Sequence, residues 1–238
     1  MENLVAIVPA AGSGKRLGLG INKAFVKLNG APLLVHCLTM LEQTQMVRQA
    51  IVVLAPEEAE DGGSLLVSYQ EKYFPNLPFK IALGGSERQD SVANALIAVP
   101  KDAEYIAVHD GARPFAGRDV FARTLAMAKK YGAAIAAVPV KNTIKVIDDN
   151  GLVVSTPVRA MLKAVQTPQI FRAQLLRQAY AFLQAHPTAV TDDASVVELL
   201  GNKVAVAEGR YENIKVTTPE DLILAEYFLK QEELKHGK

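Results

Sequence analysis

Cysteine is almost absent from this chain. The single Cys37 cannot close a bridge within it, so nothing in the 238 residues requires an oxidising compartment, and a cytoplasmic setting is expected. Four scattered histidines, His36, His109, His186 and His236, add no ligand pair at the spacing of a zinc finger. Excess charge is missing as well. With 26 basic against 25 acidic side chains the formal charge is +1, which gives no footprint for nucleic acid or an anionic membrane and makes any anion binding a local matter. Long apolar runs are also lacking: the stretch from Leu4 to Ala11 is too short to span a bilayer, and no basic region precedes it. The sequence therefore reads as carrying no targeting or membrane segment.

Half of the residues are hydrophobic and 21% are charged, a globular composition that excludes a disordered or collagen-like chain. Short β-branched runs (Val5 to Val8, Ile51 to Leu54, Lys80 to Leu83, Tyr105 to Val108, Ala133 to Val138, Val204 to Ala207) alternate with amphipathic ones. Helical spacing marks Pro32 to Leu41, Glu57 to Tyr73, Ser86 to Val99, Asp119 to Tyr131 and Leu175 to Leu183. This rhythm predicts an α/β fold, a Rossmann-like, mostly parallel sheet with helices on both faces. A last helix is signposted by Thr218 as N-cap, Pro219 in the first turn and Glu220 and Asp221 beside the positive end of its dipole. Between Val140 and Arg159 the rhythm breaks: Thr143 to Ile147 and Leu152 to Thr156 flank Asp148-Asp149-Asn150-Gly151, a hairpin signal. One domain over residues 1–238 with an inserted β-arm at about 140–159 is expected, the arm lying on the sheet edge or reaching into another subunit.

Chemistry concentrates at turns that leave strands. Pro9-Ala10-Ala11-Gly12-Ser13-Gly14-Lys15-Arg16 follows the first strand, where backbone N–H groups can converge on a phosphate and the cations add charge-assisted bonds. It is not a P-loop, because Pro9 stands where a glycine is needed and Arg16 where Ser or Thr is needed. Nor is it a dinucleotide fingerprint, because Leu17 replaces the third glycine, which argues against a nicotinamide enzyme. Lys23 follows in Asn22-Lys23-Ala24-Phe25. A second glycine turn, Gly84-Gly85-Ser86-Glu87-Arg88-Gln89-Asp90-Ser91, lets a flat base approach the backbone, with Ser86 expected to cap the next helix. At a third strand end, His109-Asp110-Gly111-Ala112-Arg113-Pro114 puts Asp110 where ligands of open α/β sheets bind and where it can hold a magnesium ion. His109 reads as a packing or hydrogen-bonding residue rather than a base. Gln166-Thr167-Pro168-Gln169, Thr191-Asp192-Asp193-Ala194-Ser195 and Asn213-Ile214-Lys215 complete the set, with Thr191 suited to cap a helix.

Taken in order from Pro9 to about Tyr227, these blocks resemble the 2-C-methyl-D-erythritol 4-phosphate cytidylyltransferases of non-mevalonate isoprenoid synthesis, of the nucleotidyltransferase or glycosyltransferase-A type. The resemblance implies CTP, a polyol phosphate and Mg²⁺ or another hard divalent cation as the molecules handled. It also implies Arg16 and Lys23 as stabilisers of the attacked phosphate, within a loop that includes Gly14 and Lys15. Asp110 would hold the metal. Ala10, Ala11, Gly12, Gly85, Ser91 and Gly111 would line base and ribose, supported by Arg88. Lys215 and Thr191 would face the acceptor, with Arg113 and Thr167 in the binding wall. A homodimer through the β-arm is implied too, Arg159 and Thr143 acting across it, with no nucleic acid or membrane partner. Two departures stand out. Asn22 and Ala24 replace the proline and glutamine usual around Lys23, which is expected to loosen its loop, and Gly111 replaces a more frequent alanine. Ribitol 5-phosphate remains an alternative acceptor, and a non-catalytic nucleotide-binding homologue an alternative role.

Overall fold

The computed structural model describes residues 3–12 and 22–236. The alternating runs become strands and helices close to their expected bounds. In chain order they are β1 (Leu4–Pro9), β2 (Lys27–Leu28), β3 (Ala31–Pro32), α1 (Leu33–Gln43), β4 (Val47–Leu54), α2 (Ala59–Tyr73), β5 (Phe79–Leu83) and α3 (Arg88–Ala98). Then follow β6 (Tyr105–Val108), α4 (Gly117–Tyr131), β7 (Ala133–Pro139), β8 (Val146–Ile147), β9 (Val153–Ser155), β10 (Lys163–Arg172), α5 (Ala173–Ala185), α6 (Asp193–Glu198), β11 (Ala205–Glu208) and α7 (Pro219–His236). None of these helices is long and apolar enough to cross a membrane, among the described residues.

Seven strands form one sheet in the order β11-β7-β10-β6-β1-β4-β5. Only β10 runs against its neighbours, pairing antiparallel with both β6 and β7. Period-two alternation sorts the core. Leu4, Ala6 and Val8 of β1 face α1, α2 and α4, whereas Val5 and Ile7 face α3, α5 and α6, so apolar layers cover both faces as a parallel sheet requires. After β1 the chain builds outward through β4 and β5, then returns to place β6 on the other side of β1. That reversal opens a crevice at the carboxyl ends of β1 and β6, the usual ligand position in such sheets.

Three local expectations need correction. Strand β10 was not foreseen: Gln166, Thr167 and Pro168 interrupt its apolar pattern, and its pairing with β7 is interrupted between Val165 and Gln169, where Pro168 has no N–H to give. The cap of α3 is Glu87, not Ser86. Glu87 and Asp90 form a reciprocal capping box, while the Ser86 hydroxyl donates to Asp90. The cap of α6 is Asp192, not Thr191; its carboxylate accepts from the Ser195 N–H.

The hairpin signal holds, with strands shorter than expected. Asp148 Oδ1 accepts from the Asn150 and Leu152 N–H groups at 3.0 and 2.8 Å, and Gly151 takes the left-handed φ of 80° that closes the turn. Ile147, Leu152, Val153, Val154, Val158 and Met161 all stand exposed on this arm.

Candidate active site

Two adjoining cavities open at the carboxyl ends of β1 and β6. The first, about 430 Å³, is walled by Ala10, Ala11 and Gly12 after β1, by Gly85 and Ser91 of the second glycine turn, and by Lys23. The second, about 330 Å³, is walled by Arg113, Thr167, Gln169, Thr191 and Asp192. Arg88, Asp110 and Lys215 line both, so these three groups form the partition. A larger hollow of about 900 Å³ lies at the amino end of β6; its Arg177 is already spent on the carbonyls of Leu96, Val99 and Pro100.

Close approach of the loops depends on missing side chains. A Cβ on Gly84 would stand 2.7 Å from the Ala11 Cβ, and one on Gly85 would stand 2.3 Å from the Asp90 Cβ. The Ser91 hydroxyl fixes this turn, accepting from the Gly85 N–H at 3.0 Å and donating to the Glu87 carbonyl at 3.1 Å. Gly111 lies beneath the wall rather than in it, against Pro9, Ala10 and Leu34.

Asp110 is 6% exposed and is ringed by cations. Its Oδ2 receives Lys215 Nζ at 3.0 Å and Arg113 Nε at 3.2 Å, and its Oδ1 lies 3.9 Å from Arg88. Burial alone raises a carboxyl pKa; here Lys215, Arg88 and Arg113 outweigh it and hold Asp110 well below the usual carboxylate range. It is therefore ionised. Arg88 in turn donates to Asp193, which is fully buried and also accepts from the Tyr180 hydroxyl at 2.6 Å.

His109 is scaffold. Fully buried, it has a pKa lowered to about 4 by loss of solvent, so the ring is neutral. Nε2 donates to the Arg113 carbonyl at 2.8 Å, which leaves Nδ1 to accept from the Thr167 hydroxyl at 3.2 Å. Thr167 in turn accepts from the Asp110 N–H at 3.0 Å, so ring and hydroxyl together set the Asp110 backbone. Lys215 is placed from the other side. Asn213 Nδ2 donates to the Thr167 carbonyl, Arg113 donates to the Asn213 carbonyl, and the Val216 N–H donates to Ala112.

Lys23 begins a short 3-10 turn, Lys23–Phe25. Against the expected loosening stand the contacts at the described end of this segment. Asn22 is 5% exposed and its amide makes three hydrogen bonds, while Ala24 fills a core position at 2% exposure. A compact residue and a fully engaged amide hold the turn.

Most of the expected site residues thus meet at two joined cavities. Gly14, Lys15 and Arg16 lie outside the described residues. Thr143 and Arg159 sit on the exposed arm, where Arg159 donates to the Lys141 carbonyl, and neither lines the cavities of its own chain. Sequence reasoning named Asp193 and Gln169 only as members of their motifs, read Asn22 only as a departure from the usual proline, and gave no part to Tyr180. Only the acidic doublet after Thr191 offered a signal, and nothing in it tells which carboxylate turns inward.

Lys23, Arg88, Arg113 and Lys215 bring cations to the walls of these cavities, where they can offer charge-assisted bonds to an anion. Comparison with known proteins gives the family. The IspD family model, 2-C-methyl-D-erythritol 4-phosphate cytidylyltransferase, matches residues 4–231. A 2-C-methyl-D-erythritol 4-phosphate cytidylyltransferase of Bacillus cereus is 48% identical over 94% of this chain and 96% of its own. One from Caldanaerobacter subterraneus is 41% identical over 96% of this chain and 100% of its own. Among solved structures, 4-diphosphocytidyl-2C-methyl-D-erythritol synthase of Anaerococcus prevotii superposes with a TM-score of 0.82 at 32% identity, over 96% of this chain and 99% of that one.

Proposed function

Since the chain belongs to the 2-C-methyl-D-erythritol 4-phosphate cytidylyltransferase family, we propose that it joins CTP to 2-C-methyl-D-erythritol 4-phosphate, giving 4-diphosphocytidyl-2-C-methyl-D-erythritol and pyrophosphate. The observation that carries this reading is the shared partition: Arg88, Asp110 and Lys215 stand between one cavity walled by glycine backbone and another walled by polar side chains. The first suits a nucleotide and the second a small polyol phosphate. The partition is where their phosphates would meet.

An oxygen of the acceptor phosphate attacks the α-phosphorus of CTP, the bond to the β-phosphate breaks, and pyrophosphate leaves with the electron pair. The attacking oxygen is already ionised, so no general base is required. The protein's task is to bring two polyanions together and to offset the charge of the transition state. Lys23 and Arg16 serve the triphosphate. Lys215, Arg113 and Thr191 serve the acceptor, and Arg88 supports the wall between.

Asp110 is the candidate holder of Mg²⁺. Among the described residues no group of three His, Cys, Asp or Glu side chains could cage a metal. A lone carboxylate suits Mg²⁺, which keeps several waters and takes substrate phosphates as ligands. When bound, such an ion neutralises phosphate charge.

The arm supports a homodimer. Its apolar side chains stand largely exposed in their own chain, and Arg159 and Thr143 lie outside both cavities described there, so a second copy would both cover the arm and receive those residues.

Pyrophosphate release with CTP and Mg²⁺ tests the reaction. Release is expected with 2-C-methyl-D-erythritol 4-phosphate and not with ribitol 5-phosphate, and not when ATP replaces CTP. Release with ribitol phosphate alone moves the acceptor; release with neither leaves a nucleotide-binding protein.

A further inference from the structure

We propose that Asn22 is a positioning residue for Lys23, a clamp whose side-chain amide fastens the lysine's turn to the end of β1 and to the approach to α2. The inference rests on the reading that Lys23 acts on the triphosphate. A primary amide has a carbonyl and an NH₂ group, and here both are used on three separate segments. Oδ1 accepts from the Ala24 N–H at 3.0 Å, inside the turn itself. Nδ2 donates to the Ala10 carbonyl at 2.8 Å, which belongs to the wall of the first cavity, and to Glu58 Oε2 at 2.6 Å, just before α2.

Each bond restrains a different freedom. The Ala24 bond holds the 3-10 turn closed together with Phe25 N–H to Asn22 carbonyl and Val26 N–H to Lys23 carbonyl, at 3.0 and 3.2 Å. The Ala10 bond fixes that turn against the segment that lines the nucleotide cavity, so Lys23 and the wall move as one body. The bond to Glu58 is charge-assisted and half-buried, its Asn22 end sheltered from water. A cation required to meet a phosphate within a few tenths of an ångström gains from such anchoring, since small misplacements of a positioned group cost large factors in rate.

The test uses Asn22→Ala and Asn22→Asp, each alone and combined with Lys23→Ala, in the full-length enzyme. Asn22→Asp keeps shape but places an anion against Glu58 and the Ala10 carbonyl, so it should be the worse of the two. We expect kcat to fall about tenfold for Asn22→Ala and further for Asn22→Asp, with the KM of the acceptor unchanged. Amide exchange at Ala24 should quicken in both, a readout independent of turnover. In the Lys23→Ala background the Asn22 change should cost nothing more, because the clamp acts through that lysine. Unchanged turnover and exchange in both single variants would overturn the proposal, as would an undiminished loss in the double variant. Ordinary turnover in Lys23→Ala, with Ala24 exchange still responding to Asn22, would instead remove the catalytic reading of Lys23 and the proposal with it.

Discussion

The Arg88 guanidinium donates to Asp193 at 2.6 Å and stands 3.9 Å from Asp110, so a fully buried carboxylate on α6 aims a cation of α3 at the partition between the two cavities. Asp193 is itself held by Tyr180. Asp193→Asn keeps the volume and removes the charge, leaving Arg88 half-buried with only the more distant Asp110 as counter-ion. Breaking such a pair by one partner is costly, and a loss of about 2–3 kcal/mol in unfolding free energy is expected, with a higher KM for CTP. Tyr180→Phe removes one neutral donor and should cost about 1 kcal/mol with little change in KM. Urea titration and initial-rate kinetics on the two variants check both statements; equal effects would show that charge is not what matters at Asp193.

His109 predicts a pH dependence of stability. In the unfolded chain the imidazole titrates near 6.5, whereas in the fold it stays neutral down to about 4. Between these values the unfolded state binds more protons, so stability falls as pH drops through that window, by up to roughly 3 kcal/mol. Asp110 acts in a lower window. Its folded pKa is depressed, so its contribution is present above the ordinary carboxylate range and is lost only below it. Urea midpoints between pH 7.5 and 4.5 should decline in the parent, and His109→Gln should flatten the decline. A flat parent profile would contradict the buried neutral ring.

How far this was legible in the sequence follows from distance along the chain. The turns after β1 and β6 and the glycine turn before α3 each hold their functional residues within a few positions, at strand ends, and these could be placed. Asn22 and Glu58 are 36 residues apart, and Arg88 and Asp193 are 105 apart; only folding brings them together. Strand β10 was hidden for another reason. Its middle, Gln166-Thr167-Pro168, serves the site with polar groups and so lacks the alternation that marks a strand. The masking of a strand by its own functional residues is a physical consequence of placing a site in a sheet.

Two glycines should differ in their response to alanine. At Gly85 the new Cβ would meet the Asp90 Cβ at 2.3 Å, inside the capping box that starts α3, and the turn must shift. A rise of at least tenfold in the KM for CTP is expected, the scale of losing about 1.4 kcal/mol of binding. At Gly111 the nearest atoms, Leu34 Cδ1, the Ala10 Cβ and the Pro9 carbonyl oxygen, are 3.2 to 3.3 Å away, a tight fit that asks for shifts of only a few tenths of an ångström. Near-parental kinetics are expected for Gly111→Ala. Measured together, the two variants separate a glycine that the shape of its turn requires from one that the packing merely tolerates.

The arm gives the last prediction. Val146, Ile147, Leu152, Val153 and Val154, each 45–66% exposed, leave an apolar surface on the hairpin, and Arg159 sits at its base. If a second copy covers this surface, each active site draws its Lys23 from one subunit and its Arg159 from the other. Lys23→Ala and Arg159→Ala homodimers should then each be impaired, while a mixed dimer holds one site with both lesions and one with neither. Mixing the two variants under conditions that exchange subunits should restore activity, approaching half the parental value per mixed dimer. Light scattering should give about twice the chain's 25.7 kDa. A fully active monomer would remove the shared site, and a stable dimer without complementation would keep the interface while confining Arg159 to its own subunit.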